Sequence, residues 1–183
     1  MEKSHQSLIE IPQKKELIYQ GKYLAYHLDH VLLPNGHTAT REYLHHPGAI
    51  AAVPLLEDGS VILVEQFRYP IESVLLEIPA GKLEQNEAPE ECVKRELREE
   101  IGYEPGRLTH LLSVWTTPGF TDEIIHLYLA TDLKPAADEA DPDEFLNIVR
   151  LTKPELLAHL NSGNVIDGKT SLALSMMSLR GLW

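Results

Sequence analysis

"GKLEQNEAPEECVKRELREEIG", Gly81 to Gly102, is the stretch whose reading decides the fold. Pro89 suits a first helical turn and Gly102 suits the left-handed position past a helix end. The spacing therefore predicts a helix over roughly Pro89 to Ile101. Glu96, Glu99 and Glu100 then share one side, being spaced i, i+3 and i+4. Val93, Leu97 and Ile101 form the apolar stripe beside them. The carboxylates thus border the buried face. Like charges at this spacing cost an isolated helix about a few tenths of a kcal/mol each, and partial burial adds to that. Two arrangements relieve the repulsion. A hard divalent cation such as Mg²⁺ takes oxygen ligands, or Lys94, Arg95 and Arg98 pair with the glutamates on a solvated helix.

Outward from this helix the chain alternates strand patterns with turn signals. "GAIAAVPLLEDGSVILVEQFRY" reads as two strands, Ala49 to Leu56 and Val61 to Phe67, reversed at the Asp-Gly of "EDGS". "VLLEIPAG" is a short apolar strand ending at Pro79 and Gly81. "RLTHLLSVWT" and "DEIIHLYLAT" are strands joined through "TPGFT", and "FLNIVRL" is another. "TKPELLAHLNSG" reads as a short helix with Thr152 as N-cap, Pro154 in its first turn and Gly163 past its end. "KTSLALSMMSLRGLW" reads as a final amphipathic helix. Toward the N-terminus, "ELIYQGKYLAYHLDHVLLPNG" and "HTATREYLHH" pair across an Asn-Gly turn into a small antiparallel sheet. That sheet is too short to bury a core alone. The expected class is α+β, since the strict strand–helix alternation of a doubly wound parallel sheet is missing.

The fixed positions of the opening stretch are Gly81, Glu87, Arg95, Glu96, Leu97, Glu99, Glu100 and Gly102. They resemble the Nudix hydrolase box, a loop–helix–loop signature, and every one is filled. Tyr103 departs from the family's usual aliphatic residue, which touches packing and leaves the ligand set alone. "VEQFRY", "LLEIPAGKLE" and "TPGFTDE" resemble the subgroup that hydrolyses ADP-ribose and other nucleoside diphosphate sugars, as does Pro118, fifteen residues beyond Tyr103. The similarity covers about Gly48 to the C-terminus. It implies a Nudix-type α/β/α sandwich with a mixed sheet over residues 48–183. Residues 1–47 are expected to be an N-terminal strand segment that serves for dimerisation, making the protein a homodimer.

The resemblance further implies hydrolysis of a diphosphate linkage to a nucleoside monophosphate and a sugar phosphate, with Mg²⁺ or Mn²⁺ as cofactor. By motif match the metal ligands are Glu96, Glu99, Glu100 and the backbone carbonyl of Ala80. Arg95 orients the glutamates, Glu87 braces the loop–helix junction and Gly81 permits a tight turn. Arg68 of "QFRY" is the candidate for gripping the diphosphate or terminal sugar, against the alternative of a surface arginine beside a strand. Glu123 is expected to accept a hydrogen bond from substrate hydroxyls or a catalytic water; the alternative is the polar start of a strand. The general base is sought among Glu139, Asp141, Asp143 and Glu144, and Glu144, just before a strand, is chosen. Two other readings stand beside this one. One is a Nudix hydrolase of a dinucleoside polyphosphate or NADH. The other is a sensor that binds ADP-ribose without cutting it.

Composition fits. The 183 residues suit one domain with an added element, and a net charge of −12 argues against nucleic acid as partner. Cys92 is the only cysteine, so no intrachain disulfide forms. The polar N-terminus lacks the apolar core of a signal peptide, and no apolar run reaches the ~18 residues of a membrane span. A cytoplasmic location is expected. The histidines, including the His45–His46 pair, lack two-ligand helical spacing and are read as surface or packing residues rather than zinc ligands.

Overall fold

Strand patterns in the first forty-odd residues become strands because their Tyr, Val, Ile and Leu fit a pleated surface. The computed structural model describes residues 5–137, 145–162 and 167–183. Its chain forms two compact units. The first takes in the chain up to Pro47 together with Trp115–Ile124. It holds β1 (Ile11–Lys14), β2 (Leu17–Gln20), β3 (Ala25–Leu32) and β4 (Thr38–His45). β3 and β4 form the antiparallel hairpin expected across the Asn-Gly turn, from Ala25 opposite His45 to Leu32 opposite Thr38. The other edge of β3 is shared: β1 pairs with its last residues and β2 with its first. The pattern search missed β1, whose four residues carry a Pro and two polar side chains. Every residue of β1 and β2 is exposed.

The second unit, Gly48–Val114 with Ile125–Trp183, carries the main core. Its strands are β5 (Ala49–Pro54), β6 (Val61–Arg68), β7 (Ser73–Glu77) and β8 (Ala80–Lys82). Helix α1 (Pro89–Ile101) follows, then β9 (Tyr103–Trp115), β10 (Ile124–Pro135) and β11 (Leu146–Leu151). Helices α2 (Lys153–Asn161) and α3 (Gly168–Leu179) close the chain. One sheet has the order β8-β5-β10-β9 and the other β11-β6-β7. The first is mixed, because β5 runs parallel to β10 and antiparallel to β8.

That topology corrects one expectation. β5 and β6 are both present and the tight reversal at "EDGS" is made, the Leu56 amide donating to the Ser60 carbonyl at 2.9 Å, but the strands do not go on to pair as a hairpin. They belong to different sheets, and the pairing at the turn is a single antiparallel bridge between Leu55 and Val61. Burial explains why. All six residues of β5 are buried, and a strand buried on both faces pairs inside a sheet covered on both sides. "VLLEIPAG" likewise splits at Ile78-Pro79 into β7 and β8, which join separate sheets.

Alternation on these strands builds two cores. Ile50 and Ala52 of β5, Ile62 and Val64 of β6, and Tyr128 and Ala130 of β10 pack with Cys92, Val93, Leu97 and Ile101 of α1. The intervening residues Ala51, Val53, Val61, Leu63, Leu127 and Leu129 pack with Leu156 of α2 and with Ala173, Leu174 and Met177 of α3. The result is helix, strands, helix: an α/β/α sandwich in an α+β chain. Each fully buried aliphatic side chain contributes about 1.5–3 kcal/mol of transfer free energy. The sandwich therefore fixes α1, and with it the carboxylates at its border.

Candidate active site

Helix α1 begins at Pro89 and ends where Gly102, at φ 69°, takes the left-handed position and its N–H bonds to the Arg98 carbonyl. The apolar stripe Val93, Leu97 and Ile101 is buried, and that rotation carries Glu96 and Glu100 inward with it, to 7% and 5% exposure. Strand β8 passes directly beside them. The Ala80 amide donates to Glu100 Oε2 at 3.1 Å. A Cβ placed on Gly81 would stand 1.7 Å from Glu96 Oε1. Glycine here is a matter of space: the Glu96 carboxylate lies where a side chain would be.

Arg95 ties the acidic side chains together. Its Nε donates to Glu87 Oε1 at 2.9 Å and its Nη2 to Glu87 Oε2 at 3.0 Å. Its Nη1 donates to Glu96 Oε1 at 2.7 Å and Glu99 Oε2 at 3.0 Å. Glu87 in turn accepts from the Glu84 amide at 2.9 Å, across the loop before the helix. The hydrogen bonds from Arg95 hold the Glu87 carboxyl down at about 2. Hydrogen bonding to Glu87 also raises the Arg95 guanidinium above its usual range. Burial pushes the Cys92 thiol far up, so Cys92 is a packing residue and no nucleophile. Of the two reliefs foreseen for the acidic helix, salt bridges are present, including Lys94 to Glu91 and Arg98 to Glu104. Yet the one guanidinium of Arg95 faces three carboxylates, with a fourth, Glu100, bordering the same strand.

The donor set suits a hard dication: buried carboxylates beside strand β8, where Gly81 leaves the space that the Glu96 carboxylate fills. As the side chains stand, Glu96 and Glu99 are drawn to Arg95 and Glu100 to the Ala80 amide. No three His, Cys, Asp or Glu groups among the described residues are arranged as metal ligands.

Arg68 lies at the end of β6, as the sequence placed it, but it is not a bare surface arginine. Its Nε and Nη2 form a fork on Glu77, both at 2.7 Å. Glu77 is 1% exposed and also receives Lys169 of α3, which pairs with Asp167 at 3.2 Å. Burial pushes the Glu77 carboxyl up, and the bonds from Arg68 and the charge of Lys169 outweigh it, leaving the carboxyl below its ordinary value. Sequence reasoning missed Glu77, Asp167 and Lys169. A signal existed: a single acid inside the apolar run "VLLEIPA" must find buried partners.

Glu123 belongs to the first unit. It accepts from Thr116 Oγ1 at 2.8 Å, and His46 Nε2 stands 3.6 Å from its other oxygen. Its neighbour Asp122 is paired with His45 Nδ1 at 2.5 Å and accepts from the His46 amide at 2.8 Å. The histidine pair, His45 exposed and His46 packed, thus borders the "TPGFTDE" carboxylates. Glu139, Asp141, Asp143 and Glu144, the candidates for general base, lie outside the described residues.

The sequence pattern of the NUDIX domain family matches residues 45–171. The chain is 42% identical over 176 residues to a protein of Bacillus subtilis strain 168 named ADP-ribose pyrophosphatase, covering 95% of each. It is 42% identical over 169 residues to a protein of Bacillus methanolicus named methanol dehydrogenase activator, covering 91% of each. The crystal structure of an ADP compounds hydrolase superposes with a TM-score of 0.84, covering 96% of this chain and 97% of that one at 23% identity, which shows the fold. Nudix hydrolases use divalent metal ions.

Proposed function

Because the chain belongs to the NUDIX domain family and is a hydrolase, we propose that it cuts the diphosphate linkage of nucleoside diphosphate sugars, ADP-ribose foremost. The products are a nucleoside monophosphate and a sugar phosphate. One observation carries the reading: Glu96 and Glu100 are buried against the glycine-bearing strand β8, with Arg95 bonded to both Glu96 and Glu87. Such a patch is built to receive positive charge. The relative of 42% identity over 95% of the chain names the substrate class.

In this reading Glu96, Glu99, Glu100 and the Ala80 carbonyl hold Mg²⁺ or Mn²⁺. A bound dication would neutralise phosphoryl charge and acidify a water molecule. Arg95 orients Glu96 and Glu99 through its two bonds, both from Nη1, which gathers the two carboxylates on one guanidinium as pivot. Glu87 and the Glu84 amide lock that pivot to the loop. Arg68, with Nε and Nη2 spent on Glu77, offers the far edge of its guanidinium to the diphosphate. Glu144 takes the proton from the attacking water; this assignment rests on sequence position. The assignment of Glu123 to substrate hydroxyls rests on the "TPGFTDE" pattern.

The first unit serves as the contact of a homodimer in the same proposal. Its β1 and β2 are exposed throughout yet include Ile11, Leu17, Ile18 and Tyr19, and an apolar patch of this kind marks an interaction surface. Among the described residues no helix is long and apolar enough to cross a membrane. The cytoplasm is the proposed location, and the −12 charge disfavours nucleic acid as partner.

A second reading keeps the Nudix hydrolase and changes its substrate. It makes NADH, which carries the same P–O–P linkage, the substrate. Turnover on ADP-ribose, ADP-glucose, GDP-mannose, UDP-glucose and NADH, with and without EDTA, separates the two. The first reading predicts sugar nucleotides ahead of NADH and no turnover in EDTA. NADH as the best substrate favours the second, and binding of ADP-ribose without turnover favours a sensor.

A further inference from the structure

Glu77 is the most deeply buried carboxylate among the described residues of the second unit, at 1% exposure. A carboxylate in that position needs opposite charge and hydrogen bonds on both oxygens. It has them from two elements far apart in sequence. Arg68 of β6 makes the two-bond fork, and Lys169 from the first turn of α3 binds Oε2, the oxygen that Arg68 Nη2 also uses. Asp167 pairs with Lys169 at 3.2 Å, so two acids and two bases balance. The same turn of α3 holds the chain one residue on: Thr170 Oγ1 accepts from the Ile78 amide at 2.9 Å. Two residues further, Ala80 binds Glu100.

A fork of this type is planar, so the plane of the Glu77 carboxylate sets the plane of the Arg68 guanidinium. Arg68 alone would let that carboxylate turn about its last bond. Lys169 fixes it from the opposite element. With Glu77 held, the edge of Arg68 bearing Nη1 is presented in one direction, and the Arg68 side chain as a whole is 39% exposed. We propose that Lys169 is a positioning residue for substrate binding: through Glu77 it holds the Arg68 guanidinium in the orientation that grips the diphosphate. The inference rests on the reading of Arg68 as the diphosphate contact.

The test compares Lys169→Met, Lys169→Arg, Arg68→Lys and the double variant Lys169→Met/Arg68→Lys. Affinity for ADP-ribose is measured by calorimetry in EDTA, and KM and kcat are measured with Mg²⁺. Lys169→Met is expected to weaken ADP-ribose about tenfold in both Kd and KM while kcat stays within about twofold. Lys169→Arg, which restores a cation, is expected within about threefold of the parent. The double variant is expected to bind no worse than Arg68→Lys alone, since both act through one contact. Should Lys169→Met fail to fold, as judged by its melting transition, Lys169→Gln carries the same expectation. Unchanged affinity in the Lys169 variant while Arg68→Lys weakens binding overturns the positioning role alone. So does full additivity in the double variant, or a loss confined to kcat. No effect of Arg68→Lys on affinity overturns the reading of Arg68, and the role of Lys169 falls with it.

Discussion

Gly81 has no spare volume: an added Cβ would meet not only Glu96 Oε1 but its Cδ at 1.9 Å and its Cγ at 2.5 Å. Gly81→Ala therefore evicts the Glu96 side chain rather than straining the backbone. The expected outcome is a loss of Mn²⁺ affinity of about tenfold or more by calorimetry, with a melting temperature near that of the parent. Retained affinity would place the ion elsewhere. Glu87 makes a separate statement about pH. Its carboxyl lies at about 2 in the folded chain against an ordinary 4.5, first because of the Arg95 hydrogen bonds. A depressed folded value means that the stabilisation is present in full above 4.5 and is lost as pH falls toward about 2. Thermal melts across that window are expected to be flatter for Glu87→Gln than for the parent chain. Equal slopes would show that Glu87 is not held by Arg95 in solution.

At the scale of elements, α1 owes its place to Leu97, which is 1% exposed and packs against β5 and β6 residues. Leu97→Ala is expected to cost about 2–5 kcal/mol, read from chemical denaturation. Activity measured well below the new midpoint should fall far less than with a changed glutamate. The same helix was legible residue for residue. Pro89 is a local start signal and Gly102 a local stop signal, and its bounds coincide with Pro89–Ile101. The β3–β4 hairpin was legible for the same reason. The partners of β5 and β6 were not. The Asp-Gly turn between them is local, with Gly59 at φ 81°, but pairing in register with β10 is decided by burial on two faces, which a turn signal does not encode. At the site, the box glutamates were legible from spacing. The Glu77–Lys169 contact joins residues ninety-two apart, and only the tertiary fold brings them together.

For the whole molecule, the exposed apolar strands of the first unit and the −12 charge pull in opposite directions. Net charge keeps copies apart over the Debye length, while an apolar patch associates through contact. Contact is expected to prevail. Light scattering coupled to size exclusion should give twice 20.6 kDa, and Ile18→Asp with Tyr19→Asp should shift the species toward one chain. A monomer in the parent protein would remove the dimerisation role of residues 1–47. The chemistry depends on a simpler proposition: crowded carboxylates on α1 exist to hold a dication against a diphosphate. The direct measurement is steady-state turnover of ADP-ribose by the parent chain and by Glu100→Gln, each with saturating Mg²⁺ and with EDTA. The account predicts turnover only for the parent with Mg²⁺, with Glu100→Gln lower by at least about a hundredfold. Undiminished turnover by Glu100→Gln, or by the parent chain in EDTA, would contradict it.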